Sequence, residues 1–193
     1  MFVFPPNYHH SIHKQTESIR EKLSNHMKRC YYELIFTKMP LDMGMNKKVG
    51  AVYKELENAV LLSLYQKNDL KYHRILEKRE SELTRLRRQI HYLRTIQYHV
   101  TNIAEQPSKE FEWSTQKQKY VFENVCYFAN VLSGKITFEE EGWKKKRAQL
   151  HKIFQDTLRS AQLDSPEKLP IELVAIYELI SIVEIIEDYF TME

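Results

Sequence analysis

Apolar residues recur along this chain every three or four positions, and nowhere do they alternate with period two. That spacing is the signature of amphipathic α-helices. The clearest stripe comes first: Ile12, Thr16, Ile19, Leu23, Met27, Cys30 and Leu34 keep steps of three or four. It predicts one helix from about Tyr8 to Lys38, with that face turned inward. Met39 to Gly44 holds a Pro and a Gly and predicts a loop, and Asn46 is placed to cap the next helix. The second helix runs from about Lys47 to Gln66, with Val49, Val52, Tyr53, Leu56, Val60 and Leu64 inward.

Asn68-Asp69 supplies a break and a new cap. The third helix follows, from about Leu70 to Glu105, on a stripe of Leu76, Leu83, Leu86, Ile90, Leu93, Val100 and Ala104, and Pro107-Ser108 ends it. A fourth runs from about Phe111 to Ser133, with Val121, Val125, Phe128 and Leu132 inward, and stops at Gly134. Four such helices on short loops predict an all-α fold, an antiparallel up-down four-helix bundle over residues 1–136. Two further helices complete the chain over 137–193. One spans Trp143 to Leu163, including Trp143, Arg147, Leu150, Phe154, Leu158 and Ala161 on its stripe. The other starts near Asp164-Ser165-Pro166 and Pro170 and ends at about Tyr189. The last is apolar on most sides (Leu173, Val174, Ile176, Tyr177, Ile180, Val183, Ile186) and so needs cover on more than one face.

Composition narrows the function classes. Only 4 of 193 residues are Gly and 6 are Pro, so Gly-rich phosphate loops and β-rich folds are poor fits. Cys30 and Cys126 lie too far apart in sequence for a metal or disulfide framework and read as buried thiols in a reducing compartment. Met1 to Pro6 is too short and lacks the basic start of a secretory signal. Five carboxylates interrupt Ile171 to Phe190, against a membrane span. A cytoplasmic protein is expected.

Charge is unevenly placed. Residues 164–193 carry eight acidic residues and one Lys, a balance of −7, whereas residues 1–162 hold 28 basic and 18 acidic, a balance of +10. A basic body favours polyanions, and an acidic tail can pack against such a body. The third helix concentrates the positive charge. Arg87, His91, Arg94 and Tyr98 share one flank at spacings of four, three and four, and Arg74, Arg85, Arg88 and Tyr92 lie on its outer face. Guanidinium forks suit phosphate oxygens, and interleaved rings suit bases. The competing reading is a solvated face whose arginines pair with carboxylates such as Glu82. Lys144 to Arg147, just after Glu139-Glu140-Glu141, is read as structural solvation.

His9 and His13, with Glu17, keep a ligand-like spacing, but nothing completes a metal site, so neither metal nor cofactor is expected. Arg94 and His99 have the Arg-x4-His spacing of helical HEPN-type ribonucleases, yet they lie about 140° apart around a helix. No nucleophile motif, paired-carboxylate motif or phosphate loop is present, so the chain reads as non-enzymatic. A HEPN-like ribonuclease or toxin, and a purely structural oligomer held by the last helix, stand as alternatives.

Residues Cys30 to Ile136 resemble the accessory variability determinant (Avd) group of four-helix bundle proteins, relatives of the small bundle proteins encoded within ribosomal RNA intervening sequences. The matching segments are Tyr32-Glu33-Leu34-Ile35-Phe36, the loop Pro40, Lys47-Lys48-Val49-Gly50, the aliphatic Leu56 to Leu64, Glu82 to Arg88, and Val131-Leu132-Ser133-Gly134. The resemblance implies a basic homo-oligomer, often a pentamer, that binds RNA or DNA and docks a reverse transcriptase-like protein. It adds weight to Arg85, Arg87, Arg88 and Arg94 as polyanion contacts.

Overall fold

The computed structural model describes residues 8–37, 51–52, 54–65, 77–106, 113–164 and 170–191. Among the described residues every regular element is helical, as the periodicity predicts. Among these residues the helices are α1 (Tyr8–Tyr32), continued by a π-helical turn (Glu33–Thr37); α2 (51–52 and 54–65); α3 (Glu77–Ala104); α4 (Thr115–Leu132); α5 (Glu140–Asp164); and α6 (Ile171–Thr191). The loop at Met39 to Gly44, the caps Asn46 and Asn68-Asp69, the Pro107 stop and Asp164-Ser165-Pro166 as a start lie wholly or mostly outside the described residues, as do Val49, Tyr53 and Leu76.

Local chemistry sets the ends that are described. The Ser114 side chain accepts from the Lys117 backbone N–H at 3.3 Å and caps α4, so this helix starts after Ser114 rather than near Phe111. The α4 end turns through Gly134, whose φ of +78° favours a residue without Cβ. Helix α5 begins three residues earlier than its apolar stripe suggests. Glu140 and Glu141 occupy its first turn, where carboxylates complement the positive helix end, and Lys144 pairs with Glu140 at 2.5 Å.

The inward stripe of α1 is buried at every position expected, from Ile12 through Leu34. The stripes of α3 from Leu83 to Ala104 and of α4 behave the same way. Two expectations fail: Leu64 on α2 is 40% exposed and Tyr177 on α6 is 57% exposed. Helix α6 is covered on most sides, and Tyr177, Glu184 and Asp188 form an outward strip that its neighbours leave open.

Pairs of touching side chains give the helix directions. Along α1, Arg20, Ser24 and Tyr32 meet Leu132, Ala129 and Phe122 of α4, so the two run antiparallel. Arg20 and Tyr31 meet Tyr189 and Ala175, which sets α6 antiparallel to α1. Helix α5 is antiparallel to α6 through Arg147–Glu187 and His151–Glu184. It is antiparallel to α4 through Lys117–Thr157 and Phe128–Trp143.

Helix α6 packs on α3, α4 and α5, and α1 packs on α3 and α4. One buried cluster holds residues from all six helices, including Val52, Leu56 and Ala59 of α2 and Ile171 to Tyr189 of α6. A cut after residue 136 would run through this core, so α6 is one of its walls. Burying the apolar circumference of α6 against α3, α5, α4 and α1 meets the need for cover that its sequence implies.

Candidate polyanion-binding face

Helix α3 supplies the candidate site. Its inner stripe (Leu83, Leu86, Ile90, Leu93, Ile96, Val100) is fixed in the core, which leaves the intervening positions facing out. Arg85, Arg87, Arg88, His91, Arg94 and Tyr98 are all exposed, Tyr98 at 62%. Arg74 lies outside the described residues. Thr84, Arg87, Arg88, His91 and Tyr92 line a shallow depression on this face. The Tyr98 ring stands edge-on to His99 with centroids 5.4 Å apart, and the His91 and Tyr92 rings lie 6.1 Å apart.

Ion pairing separates three arginines of this face from the arginines outside α3. Among the described residues no carboxylate pairs with Arg85, Arg87 or Arg88. The described arginines outside α3 are engaged: Arg29 with Glu33, Arg159 with Asp156, and Arg20 with the Leu132 carbonyl at 2.7 Å. On α5, Lys144 pairs with Glu140 and Arg147 with Glu187, and Lys146 lies 4.6 Å over the Tyr127 ring. The Lys144–Arg147 run is therefore held largely within the molecule. The acidic tail does pack against the basic body, since Glu178, Glu184 and Glu187 of α6 meet His99, His151 and Arg147.

His99 turns away from the arginine face. Its Nδ1 lies 2.5 Å from Glu178 Oε2, and Asn102 Nδ2 donates to Glu178 Oε1 at 3.1 Å, in the seam between α3 and α6. Arg94 faces outward, so the structure does not bring Arg94 and His99 together on one face. His13 and Glu17 are both exposed, and among the described residues no three His, Cys, Asp or Glu gather to hold a metal. Burial pushes the Cys30 thiol up to about 12, and burial also raises the half-buried Cys126, against the opposing charge of Lys28. The buried Glu178 was not legible as a polar partner, because the groups that meet it lie 76 and 79 positions away. Among the described residues no helix is long and apolar enough to cross a membrane.

Comparison with known proteins places relatives beside this geometry. The chain is 32% identical to a UPF0421 protein of Oceanobacillus iheyensis over 98% of its own length and 56% of that protein. It is 24% identical to a UPF0421 protein of Bacillus cereus, over 97% of the chain and 54% of the relative, and equally to one of Bacillus thuringiensis subsp. konkukian, over 97% and 53%. The chain thus spans about half the length of the curated relatives it matches. No family model matches it, and no solved structure does.

Proposed function

We propose that this chain is a non-catalytic, cytoplasmic module that binds nucleic acid, RNA foremost, through the outer face of α3 and serves a larger nucleic-acid enzyme as an accessory. The observation that carries this reading is the set of three exposed guanidinium groups, Arg85, Arg87 and Arg88, with no carboxylate paired to them among the described residues. Exposed, uncompensated guanidinium groups on one rigid helix offer bidentate donors to phosphate without first breaking an internal ion pair. The resemblance to the Avd group supplies the partner in this reading, a reverse transcriptase-like enzyme, and the homo-oligomeric state.

The test is fluorescence anisotropy with a labelled RNA oligonucleotide at several salt concentrations. Arg85→Gln, Arg87→Gln and Arg88→Gln together should weaken binding and flatten the log–log salt dependence by about 2, at about 0.7 for each phosphate that a single strand no longer has neutralised. Lys144→Gln with Arg147→Gln, on the internally paired surface, should change little. Wild-type affinity and slope in the α3 triple variant would remove the proposal.

A further inference from the structure

The order of side chains along α3 says more than its charge. From its N-terminal side outward-facing groups follow as Arg87 with Arg88, then His91 beside Tyr92, then Arg94, then Tyr98. Cation and ring alternate at axial steps of about 6, 4.5 and 6 Å, given 1.5 Å of rise per residue. Tyr98 keeps 62% of its surface free, and it meets His99 through an edge, at an interplanar angle of 74°. That leaves a face of the phenol ring open to solvent. From this arrangement we infer that the ligand of the face is a single-stranded nucleic acid lying along α3. Its phosphates sit on Arg87, Arg88 and Arg94, and its unstacked bases lie on Tyr98 and His91. The inference rests on the nucleic-acid reading above and goes beyond it in naming the form of the ligand.

Two physical arguments favour a single strand over a duplex. A DNA duplex is read by a helix that enters a major groove about 12 Å wide, which a helix about 10–12 Å across nearly fills, and the major groove of an RNA duplex is too narrow for side chains to read. Helix α3 has α1 and α6 packed against it. Neighbours at the usual interaxial distance of about 8–10 Å would meet the groove walls first. Moreover, the bases of a duplex are stacked on one another and offer no face to Tyr98. Those of a single strand do, and aromatic platforms beside a basic track are how such strands are held without a groove.

The experiment compares a short fluorescein-labelled oligouridylate, an RNA duplex of the same length and vesicles rich in anionic phospholipid. Each is titrated with the full chain as wild type, Tyr98→Ala and Tyr98→Phe, with helical content checked by circular dichroism. The single strand is expected to bind at least about tenfold more tightly than the duplex. Tyr98→Ala should weaken single-strand binding alone, by about 5-fold to 100-fold, the range for one stacked base. Tyr98→Phe should retain wild-type affinity, and neither substitution should alter the salt slope, which reads phosphate neutralisation. Equal binding of strand and duplex with Tyr98→Ala unchanged overturns this inference and leaves the nucleic-acid reading intact. Binding to neither nucleic acid, or to the vesicles alone, overturns both.

Discussion

Replacing His99 with Ala tests the polar seam between α3 and α6. The Glu178 carboxylate is 9% exposed and the His99 ring 15%, and Asn102 also donates to the carboxylate. Removing one member of a fully buried ion pair costs about 3–5 kcal/mol, because the remaining charge keeps its desolvation cost. Here Asn102 still serves one oxygen and water can enter the space left by the ring, which lowers the figure to about 2–3 kcal/mol. For a chain of this size that corresponds to a fall in Tm of roughly 4–12 °C. Urea unfolding followed by circular dichroism at neutral pH measures it. His99→Leu and Glu178→Leu should each be destabilising alone, whereas combined they should fall within about 1 kcal/mol of wild type, since no unpaired charge then remains in the seam. The cycle therefore predicts strong coupling between the two sites. A His99→Ala cost below about 0.5 kcal/mol, a value typical of neutral surface changes, would refute the reasoning. So would additive single and double variants.

Other consequences follow from the same packing. Gly134→Ala should cost about 1–2 kcal/mol, the usual penalty of a Cβ in the left-handed region. The added Cβ would also lie 3.3 Å from Arg20 Nη2, the guanidinium that reaches the Leu132 carbonyl, so thermal denaturation should show the destabilisation and Gly134→Asn should be milder. Burial holds the Cys30 thiol protonated up to about 12 against a usual 9.0. A raised native pKa means that the unfolded chain releases its proton first, so the thiol's contribution is complete below about pH 9 and is lost as pH rises towards about 12. The slope from this one group is at most about 1.4 kcal/mol per pH unit. Cys30→Val should reduce the alkaline destabilisation in denaturant titrations at successive pH values, and an unchanged pH profile would count against the assignment.

The helices were legible because helix periodicity is local. Ile12 through Leu34 repeat every three or four residues, and burying that stripe requires nothing more than a partner of any identity. The outward placement of Arg87, Arg88, His91, Arg94 and Tyr98 follows equally from the stripe of α3, because residues off the buried face must point elsewhere. The resemblance and the charge asymmetry both single out this helix, but neither could say whether its arginines were already paired. That depended on where the carboxylates of α6 came to lie.

Sequence by itself therefore determined an all-helical chain, the inner stripes of α1, α3 and α4, and a basic outer row on α3. Tertiary structure alone decided that α6 is a wall of the core, that Tyr177 faces out, that Glu178 is buried beside His99, and that Lys144, Lys146 and Arg147 are held by nearby carboxylates and an aromatic ring. The division has a physical cause. Helix formation and amphipathicity are set by neighbours within a turn or two, whereas pairing between helices is set by which surfaces meet across long stretches of chain, as Tyr31 meets Ala175 and Arg20 meets Tyr189.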